Sequence, residues 1–187
     1  RVSDVPDAPL SAEHPEIPRE HALQGFDGVR AYAVDPARSE ALLRETLGFT
    51  GGDDGRWEVR GDQRGGVYAY DAAPEGRSSQ GAGSIHHIAF ATQTDEQDAW
   101  RERVAGSGNA NPTPVIDRFW FRSVYFREPN GILFELATMG PGFDTDEDME
   151  HLGEKLTLPP RFEPMRDQIE RVLTPLPNPR AKQEVGS

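Results

Sequence analysis

The hydrophobic pattern becomes regular at Phe26. Val29, Ala31 and Ala33 alternate with more polar neighbours, the period of a strand with one buried face. Asp35-Pro36 then supplies a capping residue and a first-turn proline. Ala41, Leu42, Glu45 and the Leu47-Gly48 ending predict a short helix with a glycine stop. Residues 57–60 and 66–71 read as strands, split by the turn-forming Gly61-Asp62-Gln63-Arg64-Gly65. A Gly/Ser-rich connector occupies residues 73–83.

The pattern then restarts. Residues 84–91 predict a strand, and residues 94–106 a helix whose Thr94/Gln97 spacing matches a capping box. Strands are predicted over residues 114–117 and 122–126. Glu128-Pro129-Asn130-Gly131 is a strong turn before a closing strand at 132–138. Setting Phe26 on Ile85 puts Asp27 on His86, Gly28 on His87 and Asp35 on Thr94. The order of elements, rather than residue identity, predicts an α+β fold of two tandem βαβββ modules, at 23–74 and 83–140.

The flanks differ. Residues 1–22 are rich in Pro, Asp, Glu and Ala, and read as a linker that implies a preceding domain. Residues 141–187 read as a helical extension with helices at 147–156 and 163–173, separated by Pro159-Pro160. Met165, Ile169, Val172 and Leu173 fall on one helical face, and residues 175–187 are expected to fray.

At 187 residues the chain suits one domain or two small modules sharing a core, and its 35% hydrophobic content makes that core modest. The net charge of −12, spread along the chain, argues against nucleic acid and anionic membrane as partners. Ordinary solubility and adaptation to high salt both fit such a surface. The absence of cysteine removes disulfides, thiolate catalysis and zinc–sulfur sites, and fits a reducing, cytoplasmic setting. No apolar run approaches the ~18–20 residues of a membrane span.

Candidate chemistry sits in the second module. In the strand predicted from Ser84, alternation makes His86 and His87 face opposite ways. Such a pair is either structural or contributes one metal ligand. The closing strand Ile132-Leu133-Phe134-Glu135-Leu136-Ala137 holds one carboxylate among apolar residues. Left unpaired it would cost several kcal/mol, so it needs a cation. Arg118, Arg122 and Arg127 are candidate ion-pair partners; the sharper alternative is a metal held by His87 and Glu135. Two histidines and one carboxylate suit non-haem Fe(II), and this chain would still lack one of the three. Between them, Asp117 to Pro129 is dense in aromatics and arginines, either as strand packing or as the wall of a pocket for a planar anion.

The run His-His-Ile-Ala-Phe, Ile-Asp-Arg-Phe, Ser-Val-Tyr-Phe-Arg-Glu-Pro-Asn-Gly and Leu-Phe-Glu-Leu-Ala-Thr between Ile85 and Thr138 resembles the ring-cleaving dioxygenases of the vicinal oxygen chelate superfamily, in their hydroquinone-type branch. Gly140-Pro141-Gly142-Phe143, Leu152-Gly153-Glu154-Lys155-Leu156 and Leu158-Pro159-Pro160 continue the resemblance, which is specific in the second repeat and weak in the first. It implies a protein of four such modules, of which this chain resembles the last two. It also implies Fe(II), with Mn(II) or another divalent metal as the alternative, and a small aromatic substrate cleaved with O2. His87 and Glu135 match metal ligands; His86, Arg118 and Tyr125 match positions around substrate and oxygen. A further histidine ligand would come from an N-terminal half or another chain, and a homo-oligomer is a second source. Gly28 stands in the ligand position of the first module, and Asp27 reaches a metal only by a register shift. A glyoxalase-like isomerase and a non-catalytic module that binds small aromatics remain the alternatives.

Overall fold

The computed structural model describes residues 7–11, 14, 16–62, 64–76 and 79–176. Two four-stranded sheets are built to one plan. The first contains β1 (Gly28–Ala33), β2 (Thr50–Gly51), β3 (Arg56–Arg60) and β4 (Gly65–Ala72), in the order β1-β4-β3-β2. The second contains β5 (Ile88–Thr92), β6 (Ile116–Asp117), β7 (Arg122–Arg127) and β8 (Leu133–Thr138), in the order β5-β8-β7-β6. In each, the first strand runs parallel to the last and the remaining pairs are antiparallel. A parallel neighbour requires a crossover, and a helical segment supplies it both times: Pro36–Ser39 with Leu42–Thr46, and α1 (Gln97–Gly106).

The two modules share one core. Tyr68, Phe134, Phe126, Leu42, Leu43, Val104, Val124 and Trp57 are all buried within it. The Tyr68 ring meets Phe134 edge-on at 5.4 Å and Phe49 meets Phe90 at 5.6 Å, so aromatic contacts cross from one module to the other. The first crossover is a π-helical stretch at Leu42–Thr46, with Leu47 N–H donating to the Leu42 carbonyl at 3.0 Å. This wider turn lets the adjacent Leu42 and Leu43 both be fully buried. As expected, the Asp35 side chain accepts from Ala37 N–H, and Gly48 ends the segment at φ 74°.

A polar knot also joins the modules. Glu128 is buried, and its carboxylate accepts from Ser39 Oγ, from Tyr70 Oη at 3.0 Å and from Ile132 N–H at 2.9 Å. Asn130 Nδ2 donates to Ser39 Oγ at 2.8 Å. Burial, then the Glu128 charge, pushes the Tyr70 phenol up to about 12, and burial pushes Tyr68 up as well.

Several expectations are corrected. The strand predicted from residue 84 begins at Ile88, which leaves His86 and His87 ahead of the ladder. The helix predicted from Thr94 begins at Gln97 without a side-chain cap. Gln97 Nε2 instead donates to the Arg122 and Leu136 carbonyls at 2.9 and 3.1 Å, because its buried amide is better satisfied by strand carbonyls than by a cap. The short β2 carried no periodic signal. The helix predicted at 147–156 is a 3-10 turn, Met149–His151, followed by Gly153 at φ 78°. The next helix starts as a 3-10 segment, Pro160–Met165, before α2 (Arg166–Val172), since Pro164 inside it lacks the N–H an α-helix needs.

Part of the N-terminal stretch read as a linker is tied down. Arg60 Nη1 donates to Asp7 Oδ1 at 2.7 Å, and Leu10 N–H donates to the Gln24 carbonyl at 3.1 Å. The segment expected to fray lies outside the described residues from 177 onward. No helix among the described residues is long and apolar enough to cross a membrane.

Candidate functional site

Strand register brings the second module's polar residues onto one face. Glu135 on β8 is flanked by Ala89 on β5 and Tyr125 on β7. Residues two apart share a face, so Ser123 and Ala137 lie beside them. The opposite face, with Phe134, Leu136, Val124 and Phe126, is the apolar one that packs in the shared core. An acidic residue in an apolar strand is thereby explained: its neighbours along the chain face the core, and it does not.

Glu135 is only 3% exposed. Ser123 Oγ donates to its Oε1, and His87 Nε2 lies 2.7 Å from its Oε2. Of the candidate partners Arg118, Arg122 and Arg127, the exposed Arg122 shares the opposite face with Val124. The Arg118 Nη2 donates instead to Tyr125 Oη at 3.3 Å, and Arg127 Nη1 donates to the Gly131 carbonyl at 2.7 Å. The carboxylate therefore answers to an imidazole and a hydroxyl.

The histidine pair departs from the sequence expectation. Nδ1 of His86 lies 2.9 Å from Nδ1 of His87, with ring centroids 5.2 Å apart and the rings nearly perpendicular. Because both precede the ladder, strand alternation does not govern them, and the two rings touch rather than face opposite ways. The His87 ring also meets Tyr125 edge-on at 5.7 Å. Arg118 lies 5.5 Å from the Tyr125 ring centroid, a cation–π distance. His86, His87, Arg118, Tyr125 and Glu135 thus form one connected cluster.

Ser123 is the member that sequence reasoning missed. Its signal was present: it stands two residues from Tyr125 in a strand, hence on the same face. Of the aromatic stretch, Phe121 contacts Phe143 at 5.8 Å and Trp120 stacks on Phe143 at 6.1 Å, so much of it packs on the chain after β8. The turn that carries Arg118 is held by Phe119, whose φ is 78°, with its N–H donating to Asp117 Oδ1 at 2.8 Å.

The donors fit a divalent metal. Adjacent ligands on an ion with bonds of about 2.1 Å sit about 3 Å apart. His87 Nε2 and Glu135 Oε2, at 2.7 Å, need to part only slightly to share one. Among the described residues no group of three or more His, Cys, Asp or Glu side chains converges on such a point. The first module offers neither ligand. Gly28 occupies the position of His87, and a Cβ there would lie 2.3 Å from the Val67 carbonyl oxygen. Ala69, paired with Arg30 as Glu135 is with Ala89, occupies the other position.

Comparison with known proteins agrees in fold and kind. Residues 25–136 match the Glyoxalase/Bleomycin resistance protein/Dioxygenase superfamily. The chain is 40% identical over 164 residues to a Bacillus subtilis (strain 168) protein provisionally named ring-cleaving dioxygenase MhqO, covering 86% of this chain and 52% of that one. It is 30% identical over 169 residues to the chlorohydroquinone/hydroquinone 1,2-dioxygenase of Sphingobium indicum, covering 86% and 52%. The crystal structure of a provisionally assigned dioxygenase from Bacillus subtilis subsp. subtilis str. 168 superposes with a TM-score of 0.80 at 36% identity, over 91% of this chain and 56% of that one. The chain spans about half the length of the curated relatives it matches.

Proposed function

Because the chain belongs to the Glyoxalase/Bleomycin resistance protein/Dioxygenase superfamily, we propose that its second module is part of the active site of a ring-cleaving dioxygenase that acts on hydroquinone-type substrates with O2. The observation that carries this reading is the Glu135 carboxylate, buried in an apolar strand, held by Ser123 and facing the His87 imidazole at 2.7 Å. The name of the Sphingobium indicum relative supports the substrate class, and that of the Bacillus subtilis relative the ring cleavage.

His87 Nε2 and Glu135 Oε2 would hold the metal, for which Fe(II) is the proposal and Mn(II) the alternative. When bound, it supplies a Lewis acid and a template that brings a phenolate and O2 together. The chain's own groups do the rest. Ligation through Nε2 leaves the His87 proton on Nδ1, from which it donates to His86 Nδ1. A neutral His86 then carries its proton on Nε2, free to donate to a substrate or oxygen atom. Tyr125 Oη accepts from Arg118, which orients the phenol to donate its own proton toward substrate oxygen. The Arg118 charge, held nearby, favours negative charge developing there.

Two protein ligands hold a metal weakly. An N-terminal half, another chain or a second copy of this one is proposed to supply the third. The test is oxygen uptake and metal content with Fe(II) and a panel of hydroquinones, for the chain alone and with an added N-terminal half. Turnover restored by the added half supports the reading. Robust turnover by a demonstrated monomer overturns the requirement for a third ligand from elsewhere. Full metal occupancy with conversion of an electrophilic substrate and no oxygen uptake would favour an isomerase instead.

A further inference from the structure

The two modules carry complementary faces. With Val29 of β1 set on Ile88 of β5, their cross-strand partners Tyr68 and Phe134 coincide, as do Trp57 and Phe126 beyond them. The burial patterns of the strands follow suit: β1 and β5 alternate in step, and the three consecutive buried residues of β4 and β8 fall at the same places. This register sets Ala89 on Arg30, Ala91 on Tyr32, Ala137 on Asp71, Glu135 on Ala69 and Tyr125 on Arg56.

An exchange of bulk results. Where the second module has ligands, at His87 and Glu135, the first has Gly28 and Ala69. Where the first is filled, the second is cleared to methyl groups. In the first module Arg30 Nε donates to Asp71 Oδ2 at 2.8 Å, its Nη2 meets Oδ1, and Tyr32 projects beside them at 64% exposure. In the second, exposed Ala89 and Ala91 and half-buried Ala137 occupy those places, with Ser123 across from Ala137. Ala89 and Ala91 on one strand and Ala137 on the next, with strands about 4.8 Å apart and a rise of about 3.3 Å per residue, mark three corners of a patch of about 7 by 5 Å. Its fourth corner is Glu135, so a single six-membered ring lying over the three alanines has one edge at the carboxylate.

We infer that Ala89, Ala91 and Ala137 form a cleared bed on which a single flat aromatic ring lies face-down, with its oxygen-bearing end toward Glu135 and His87. The phenolic identity of that end rests on the proposed function; the bed itself rests on the exchange of residues between the modules. The alanines then determine specificity by size. They touch the ring, and side chains as large as those of the first module displace it.

The first module names the variants for the test, because its sheet already tolerates them at the same positions. Hydroquinone is titrated anaerobically into the 187-residue chain, with backbone amide resonances followed by NMR, and Fe(II) binding is measured separately in the same samples. Wild type is expected to show shifts centred on residues 89, 91 and 137. Ala91→Tyr is expected to weaken hydroquinone binding by about tenfold or more while Fe(II) binding stays unchanged. Tyr32→Ala, in the sheet of the first module, is expected to change neither. Undiminished hydroquinone binding in Ala91→Tyr with a native spectrum overturns the bed, as do wild-type shifts located elsewhere or no binding by wild type at all. Ring binding that Ala91→Tyr abolishes, in a chain that takes up no Fe(II) even with an added N-terminal half, keeps the bed and overturns the metal-centred reading instead.

Discussion

His87 Nε2 and Glu135 Oε2 lie 2.7 Å apart although they stand 48 positions apart in sequence, one just before β5 and the other in the middle of β8. The parallel pairing of β5 with β8 makes this contact. Glu135 is level with Ala89, and the chain ahead of Ile88 returns the histidine over the same face. The contact joins a buried acid to a half-exposed base in a way that a divalent ion can enter.

Glu135→Gln keeps the shape of the side chain and its bond from Ser123 but removes the charge that a metal requires. Metal affinity is expected to fall by at least about 100-fold, at or beyond the upper end of what is lost when only a supporting group is removed. Calorimetric titration with Fe(II) or Mn(II) measures it. Affinity equal to wild type would remove Glu135 from the site.

Ser123→Ala releases Glu135 Oε1 and leaves the carboxylate free to rotate. An expected loss of about 10-fold to 100-fold in metal affinity follows, with Ser123→Thr recovering part of it if the larger side chain fits. The same titration decides this. A change in stability alone, with affinity preserved, would make Ser123 a packing residue only.

Glu128→Ala leaves Ser39, Tyr70 and the Ile132 N–H without their shared acceptor at the junction of the modules. Each buried donor left unpaired costs about 1–3 kcal/mol. A destabilisation of at least about 3 kcal/mol is therefore expected in urea unfolding. A shift below 1 kcal/mol would mean that water satisfies the knot.

Tyr70 should resist ionisation. Its folded-state pKa, pushed up to about 12, lies above the unfolded value of about 10. The neutral phenol is the form the fold prefers, so its contribution to stability is complete below about pH 10 and is lost as the pH rises toward about 12. Ultraviolet titration should find this phenol ionising late, and Tyr70→Phe should flatten the alkaline fall in melting temperature between those values.

Gly28→Ala should destabilise the first module by about 1–3 kcal/mol, because the new Cβ collides with backbone rather than with a movable side chain. Gly28→His combined with Ala69→Glu is expected to create no metal site for the same reason. Metal binding by that double variant at its first module would show that the strand can shift to make room.

Much of this protein was determined by its sequence alone. The alternating positions of Val29, Ala31 and Ala33, the Asp35-Pro36 start, the Gly48 stop and the repetition after residue 84 were enough for two βαβββ modules, because local periodicity and turn chemistry need no knowledge of distant contacts. The lone carboxylate at Glu135 and the His86-His87 pair marked the candidate site in the same way: charge in an apolar strand costs free energy unless something answers it. Tertiary structure decided the remainder. Whether Glu135 met an arginine, a hydroxyl or an imidazole depended on the register of β8 against β5 and β7, and that register is fixed by the packing of Phe134, Leu136 and Phe126 on the shared core. The contact between His86 and His87 depended on the strand beginning one residue after them. Gln97 as an anchor for two strands rather than a cap, and Glu128 as the knot between modules rather than a turn residue, arose because buried polar groups take whichever partners the fold brings within reach. Those partners lie far away in sequence, where no local pattern records them.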